Sequence, residues 1–244
     1  MSDKDKQERL EAQIMAVVLA LLLIASWFIL FQHGGHTRER DQSDAQSAIS
    51  MDAGAVPDGS LSDLDNLTVN DNPTPPEKYS RVEQFGPAWK DVDHNGCDTR
   101  NDILARDLAR PTFKPGTHDC VVLSGTLAEP YTGATIEFQR GDKTSALVQI
   151  DHVVALADAW RSGAWQWDAQ RRQEFANDPE NLLAVDGQAN EDKSASSADQ
   201  WLPPNTAFRC DYVKRQIAVK NAYGLSVTRA EQDALAEQLS ICSG

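Results

Sequence analysis

Residues 14–31 read IMAVVLALLLIASWFILF, eighteen in a row with only Ser26 polar. A run of that length and character reaches the lower limit for crossing a bilayer. It constrains the fold of the chain more than any other feature, because everything after it must fold on one side of a membrane. A signal-peptide core usually runs about 7–15 residues and ends in a small-residue cleavage site. This run is longer, and Trp27, Phe28 and Phe31 crowd the position where cleavage would fall. An uncleaved membrane anchor is therefore expected over a cleaved signal that would leave the remainder secreted. Lys4, Lys6 and Arg9 precede the run, and Arg38 and Arg40 follow it. The bias is slight, and it puts residues 1–13 in the cytoplasm and the rest outside the cell.

The cysteines agree with that placement. All four, Cys97, Cys120, Cys210 and Cys242, follow the apolar run. An even number suits two disulfides in an oxidising compartment. Sequence leaves the pairing open, with Cys97–Cys120 and Cys210–Cys242 expected because each closes a local loop. A four-cysteine zinc site is disfavoured by the lack of any C-x-x-C pair.

Residues 32–78 are rich in Asp, Ser, Gly, Asn and Pro, without sustained hydrophobic period, and read as an acidic flexible linker. The first 77 residues hold five basic and thirteen acidic side chains, more than half of the net charge of −14. Such a balance argues against tight wrapping of a polyanion, which draws on Lys and Arg. A catalytic cation or a local basic strip is compatible with an acidic whole. Arg209, Lys214, Arg215 and Lys220 form the best candidate strip.

A globular domain is expected over 79–244, an α+β fold with a small antiparallel sheet. Residues 102–108 (DILARDL) suit a short helix, and residues 120–127 (CVVLSGTL) have strand character. Residues 133–138 and 146–150 flank the turn signal Arg140-Gly141-Asp142 and predict a β-hairpin ending at Asp151. Residues 171–176 suit a helix stopped at Asn177-Asp178-Pro179. Residues 182–185 form a short apolar run. Helices are also expected from Asn190 and over 213–223. A last one should begin at Thr228, with Glu231 three residues on as a capping box.

Within this domain Ile150-Asp151-His152-Val153-Val154 delivers an acid and a histidine side by side from a strand. Adjacent strand residues point to opposite faces, so a strand end or bend is needed for both to serve one site. Asn181, in Glu180-Asn181-Leu182-Leu183, and Asn190, in Ala189-Asn190-Glu191-Asp192-Lys193-Ser194, lie downstream. These residue types suit phosphodiester hydrolysis. A histidine takes a proton from water near neutral pH, and a hard cation held by a carboxylate and an amide carbonyl stabilises charge on the phosphate.

The set D-H-V-V-x-L, E-N-L-L-A-V, A-N-x-x-K-S and W-L-P-P-N (the last from Trp201) resembles the HNH, or His-Me finger, endonucleases. It is most similar to the GmrSD C-terminal-like family in its secreted bacterial members. Residues 91–102 and 208–212 carry the same likeness, which spans about 79–242. The resemblance implies a ββα-metal motif with His152 as general base, Asp151 and Asn190 as ligands of Mg²⁺ (or Mn²⁺ or Ca²⁺), and Asn181 orienting the His loop. It implies substrate contacts from Lys193 and Arg100, and nucleic acid, chiefly DNA, as the substrate. Ala155 replaces the Pro usual in D-H-x-x-P without removing a reactive group. The resemblance gives no protein partner, and the membrane is met only through the N-terminal run. The competing class is a non-catalytic cell-surface binding module keeping the same fold. A zinc hydrolase is disfavoured, because only one histidine has suitable company. Trp160, Trp165 and Trp167 are expected in the core rather than stacked on bases.

Overall fold

The structure, a computed structural model of the chain, describes residues 61–242. These belong to the unit Asp52–Gly244. The apolar run 14–31, and with it the expected anchor, lies outside the described residues. Among the described residues no helix is long and apolar enough to cross a membrane.

The described chain is α+β, as expected. In order it forms α1 (Leu61–Asp65), α2 (Arg81–Phe85), α3 (Thr99–Asp107), β1 (Leu108–Phe113), β2 (Val122–Ala128), β3 (Thr135–Gln139), β4 (Val148–His152), α4 (Leu156–Arg161) and α5 (Ala169–Ala176). It continues with β5 (Leu182–Asp186), α6 (Gly187–Lys193), α7 (Arg209–Tyr223) and α8 (Arg229–Cys242). One antiparallel sheet has the order β1-β2-β3, and a separate two-stranded antiparallel ribbon pairs β4 with β5.

The expected β3–β4 hairpin does not form. β3 turns back on β2, with Ala128 opposite Thr135. The Glu129 carboxylate accepts the Tyr131 and Thr132 N–H groups and closes that tight turn. Arg140-Gly141-Asp142 does bend the chain, with the Ser145 N–H on the Gly141 carbonyl, but a single 3₁₀ turn at Ser145–Leu147 follows. β4 then pairs with β5, His152 opposite Leu182 and Val148 opposite Asp186. Burial explains the choice. Val148 and Ile150 join Leu182 and Ala184 in one core with Ile103, Leu104 and Leu127, while Leu183 and Val185 pack into another with Val153, Tyr212, Val213 and Ile217. A ribbon covered on both faces reads in sequence as a continuous apolar run.

The helices follow local signals. The Asp98 side chain caps α3 by accepting the Asn101 N–H, so α3 starts three residues before the expected 102, and Leu108 already belongs to β1. Asp186 caps α6 through the Ala189 N–H, placing Asn190 inside the helix rather than at its start. Gly187 is required there: a Cβ would come within 2.2 Å of the Ala146 carbonyl oxygen. Thr228 caps α8 through the Glu231 N–H, but the Glu231 carboxylate pairs with Lys220 instead of completing a capping box.

The expected linker boundary moves. Leu64 and Leu67 are buried in the core with Tyr212, Val227 and Leu239, and Val69 bridges Val227 in parallel. Leu64 lies on α1 and Leu67 in the turn just after it, with the Leu67 N–H on the Leu64 carbonyl, so this segment packs with the domain. Cys97–Cys120 and Cys210–Cys242 are the disulfides, the pairing that local loop closure favours.

Candidate active site

β4 places Asp151 and His152 on opposite faces of the ribbon, as the pleat dictates. Asp151 shares the side of its pairing partner Leu183 and faces α6. His152 shares the side of Leu182. Both are almost fully buried, at 5% and 6% exposure.

The His152 ring is held by two contacts. Its Nε2 lies 2.8 Å from the Ala176 carbonyl oxygen at the end of α5. A carbonyl only accepts, so Nε2 carries the proton and Nδ1 keeps its lone pair. Trp89 stacks on the ring, 5.9 Å between centroids and 13° between planes. Arg81 lies over the far partner of that stack, 5.9 Å from the Trp89 ring. Burial lowers the His152 pKa to about 3, against the pull of the Ala176 carbonyl and helped by the positive charges of Arg81 and Lys193. The imidazole is thus neutral throughout the physiological range, with a free lone pair on Nδ1 that burial makes only weakly basic.

Asn181 fixes the loop that follows. Its side-chain oxygen accepts the Val154 N–H at 2.8 Å, and its amide donates to the Val154 carbonyl at 3.2 Å. Its own carbonyl accepts the Val153 N–H. One buried asparagine therefore satisfies both main-chain groups of Val154, which no smaller or non-amide side chain can do at once. The chain leaving β4 is held at the point where it must bend.

On the other face Asp151 is fully engaged. Lys193 Nζ donates to its Oδ1 at 2.9 Å and the Tyr131 hydroxyl to its Oδ2 at 2.5 Å. Lys193 Nζ also donates to the His152 carbonyl at 2.8 Å and has no exposed surface. Burial pushes the Asp151 carboxyl above the usual range, opposed by Lys193 and Tyr131. Burial likewise raises the Tyr131 hydroxyl well above its ordinary value, so it stays a donor. Asn190, half-buried on α6, donates its amide to the Gln149 side chain at 2.7 Å.

The other expected site residues are engaged within the protein. Lys193 has no exposed surface and is the counter-ion of Asp151. Arg100, half-buried, donates its Nη2 to the Ser145 and Val148 carbonyls at 3.1 and 2.9 Å and so braces the entry to β4. Three of the four residues of the expected basic strip on α7 are engaged internally: Lys220 is buried between Asp158 and Glu231, Arg215 holds the Glu180 carbonyl, and Arg209 holds the Pro203 carbonyl. Trp160 lies in the core, with Trp165 and Trp167 packed against it.

Asp151 and Asn190 approach the same face, but they do not fit a divalent ion as they stand. Both carboxylate oxygens are taken, one by a cation, and the Asn190 amide is turned to Gln149. Among the described residues no three His, Cys, Asp or Glu side chains gather into a metal cage. Sequence reading missed Trp89, Arg81, Tyr131 and the Ala176 carbonyl. They lie far from Asp151-His152 along the chain, and none has a spacing that points to it.

The family described as GmrSD restriction endonucleases, C-terminal domain, matches residues 98–238. An "Uncharacterized secreted protein" of Arthroderma benhamiae is 39% identical over 181 residues, which cover 73% of this chain and 82% of that protein. That relative is fungal, whereas the motif resemblance pointed to bacterial members. No solved structure matches the chain.

Proposed function

This chain belongs to the family of GmrSD restriction endonuclease C-terminal domains, and we propose that it is an endonuclease that hydrolyses nucleic-acid phosphodiester bonds, DNA first, outside the cell. The observation that carries this reading is the setting of His152: a neutral imidazole whose Nε2 is pinned to the Ala176 carbonyl, leaving Nδ1 as a base. In the reaction Nδ1 takes a proton from water, the water oxygen bonds to phosphorus, and the bond from phosphorus to the leaving oxygen breaks. Ala176 fixes the tautomer. Asn181 and Val154 fix the loop. Trp89 holds the plane of the ring, and Arg81, exposed beside it, supplies positive charge for the phosphate.

The ββα-metal reading of β4, β5 and α6 rests on the order strand, strand, helix and on Asn181 at its centre. The family resemblance implies a divalent cation. Because Asp151 and Asn190 do not fit one as arranged, no step is assigned to it here. Extracellular action is supported by the two disulfides, the apolar N-terminal run and the secreted relative.

The test is the full-length protein incubated with plasmid DNA and with RNA, under Mg²⁺, Mn²⁺, Ca²⁺ or chelator. Cutting in at least one condition, abolished by His152→Ala, is expected. Full cutting by His152→Ala would sink the reading. The engagement of Asp151 by Lys193 favours a second reading, a non-catalytic surface binding module, for which no condition gives cutting.

A further inference from the structure

The stretch 91–102, DVDHNGCDTRND, takes no part in the chemistry above, and residues 91–97 precede the segment matched by the family. Its spacing is that of a calcium loop: oxygen side chains at the first, third, fifth and twelfth positions, glycine at the sixth, and a main-chain carbonyl at the seventh. Asp91, Asp93, Asn95, Gly96, Cys97 and Asp102 occupy those positions in turn, and α3 begins near the end of the loop, as the exiting helix of such a motif does. We propose that residues 91–102 bind Ca²⁺, with oxygen ligands from Asp91, Asp93, Asn95, the Cys97 carbonyl and Asp102.

An independent observation points to the ion. Asp91 is fixed against the loop by the Gly96 N–H on its Oδ2, yet its Oδ1 is closed off from solvent and has no hydrogen-bond partner. A buried, unpaired carboxylate oxygen is costly, and a cation is what it lacks. The other carboxylates are drawn together by a weaker substitute. The Asn95 amide nitrogen donates to Asp93 Oδ2 at 3.1 Å and to Asp102 Oδ1 at 3.2 Å. That amide bridges two acids where a cation would, and it accounts for the lack of a closed cage of acidic side chains. Turning the Asn95 amide over, which gives up the Cys97 N–H now on its Oδ1 at 2.7 Å, brings its oxygen to the carboxylates and completes the ligand set. Asp98 does not compete, because both of its oxygens are engaged by Asn101. Gly96 sits at φ +92° with nothing within 4 Å of a would-be Cβ, so its glycine answers the backbone turn rather than crowding. All ligands are hard oxygens on an exposed, adaptable loop, which favours Ca²⁺ over the strictly octahedral Mg²⁺.

The loop also reaches the candidate site. Thr99 donates to the Lys90 carbonyl at 2.6 Å, and the preceding residue, Trp89, is the one stacked on His152. Ordering this loop fixes Trp89 against the His152 ring. Calcium here is structural and lies apart from Asp151 and Asn190.

Calorimetric titration of the full-length protein with CaCl₂ tests this, with thermal unfolding in Ca²⁺ and in chelator as a second readout. One Ca²⁺ is expected, with a dissociation constant on the order of 10⁻⁵–10⁻³ M and a higher Tm. Asp93→Asn/Asp102→Asn should weaken binding about tenfold or more, and Asn95→Asp, which adds a ligand charge, should tighten it. Asn190→Ala and His152→Ala should bind as the wild type does. Absence of binding at millimolar Ca²⁺, unchanged binding in the double variant, or loss of binding in Asn190→Ala would overturn the proposal. None of these readouts depends on nucleic-acid cutting.

Discussion

The Ala176 carbonyl holds the proton of His152 on Nε2 and leaves Nδ1 free. An Asp-His pair at a strand end, with Asn181 and Asn190 downstream, marks the chemistry by residue type. The feature that makes the imidazole a base is the Ala176 main-chain carbonyl, and a carbonyl leaves no residue-type signal. The same setting has a measurable consequence. Unfolded, the imidazole titrates near 6.5; folded, burial lowers it to about 3. Between those values the unfolded chain holds a proton that the folded one refuses, so stability present above pH 6.5 is lost as pH falls toward 3. The limiting slope is about 1.4 kcal/mol per pH unit. Urea unfolding of wild type and His152→Ala from pH 7.5 downward should show the wild type losing stability more steeply below 6.5. Parallel curves would show that the histidine is not buried neutral. The acid limb of kcat/KM should likewise fall well below the ordinary histidine range.

At the scale of elements, the β4–β5 ribbon and α6 show what pattern reading gains and loses. The apolar run 182–185 and a helix near Asn190 were legible; that the run is strand β5 and that α6 starts at Gly187 under the Asp186 cap were not. The β3–β4 hairpin was not, because a turn signal marks a bend and says nothing of which strand lies beside which. Partnership was decided by burial on both faces of β4, a tertiary property. Lys193 is the clearest case. A lysine in A-N-x-x-K-S looks like a phosphate contact, yet its stem runs inward and its ammonium pins α6 to β4 through Asp151 and the His152 carbonyl. Lys193→Met therefore leaves a carboxylate buried without its counter-ion. Denaturant unfolding should show a loss of about 3–5 kcal/mol, with part recovered in Lys193→Met/Asp151→Asn. A phosphate-binding lysine would instead raise KM and leave stability nearly unchanged.

For the whole molecule, the two disulfides join elements separated along the chain. Cys97–Cys120 ties the exposed 91–102 loop to the segment entering β2, and Cys210–Cys242 joins the first turn of α7 to the last turn of α8. α8 buries only Glu231, Leu235 and Leu239, so its far end depends on the second crosslink. The bridges span 23 and 32 residues, and loop closure of that size in the unfolded chain is worth about 3–4 kcal/mol each. Two such bridges are a large share of the stability of a typical domain. The same bridges suit the side of a membrane on which thiols are oxidised. Thermal unfolding with and without reductant should therefore differ sharply, with Cys210→Ser/Cys242→Ser losing about 3–4 kcal/mol and its α8 amides exchanging first. Cys97→Ser/Cys120→Ser should lose a similar amount and, because Thr99 of the loop holds the Lys90 carbonyl next to Trp89, should also lower cutting by any activity that His152 supports. If reduction leaves Tm unchanged, the packing of α8 and of the 91–102 loop is self-sufficient and the bridges are not what holds them in place.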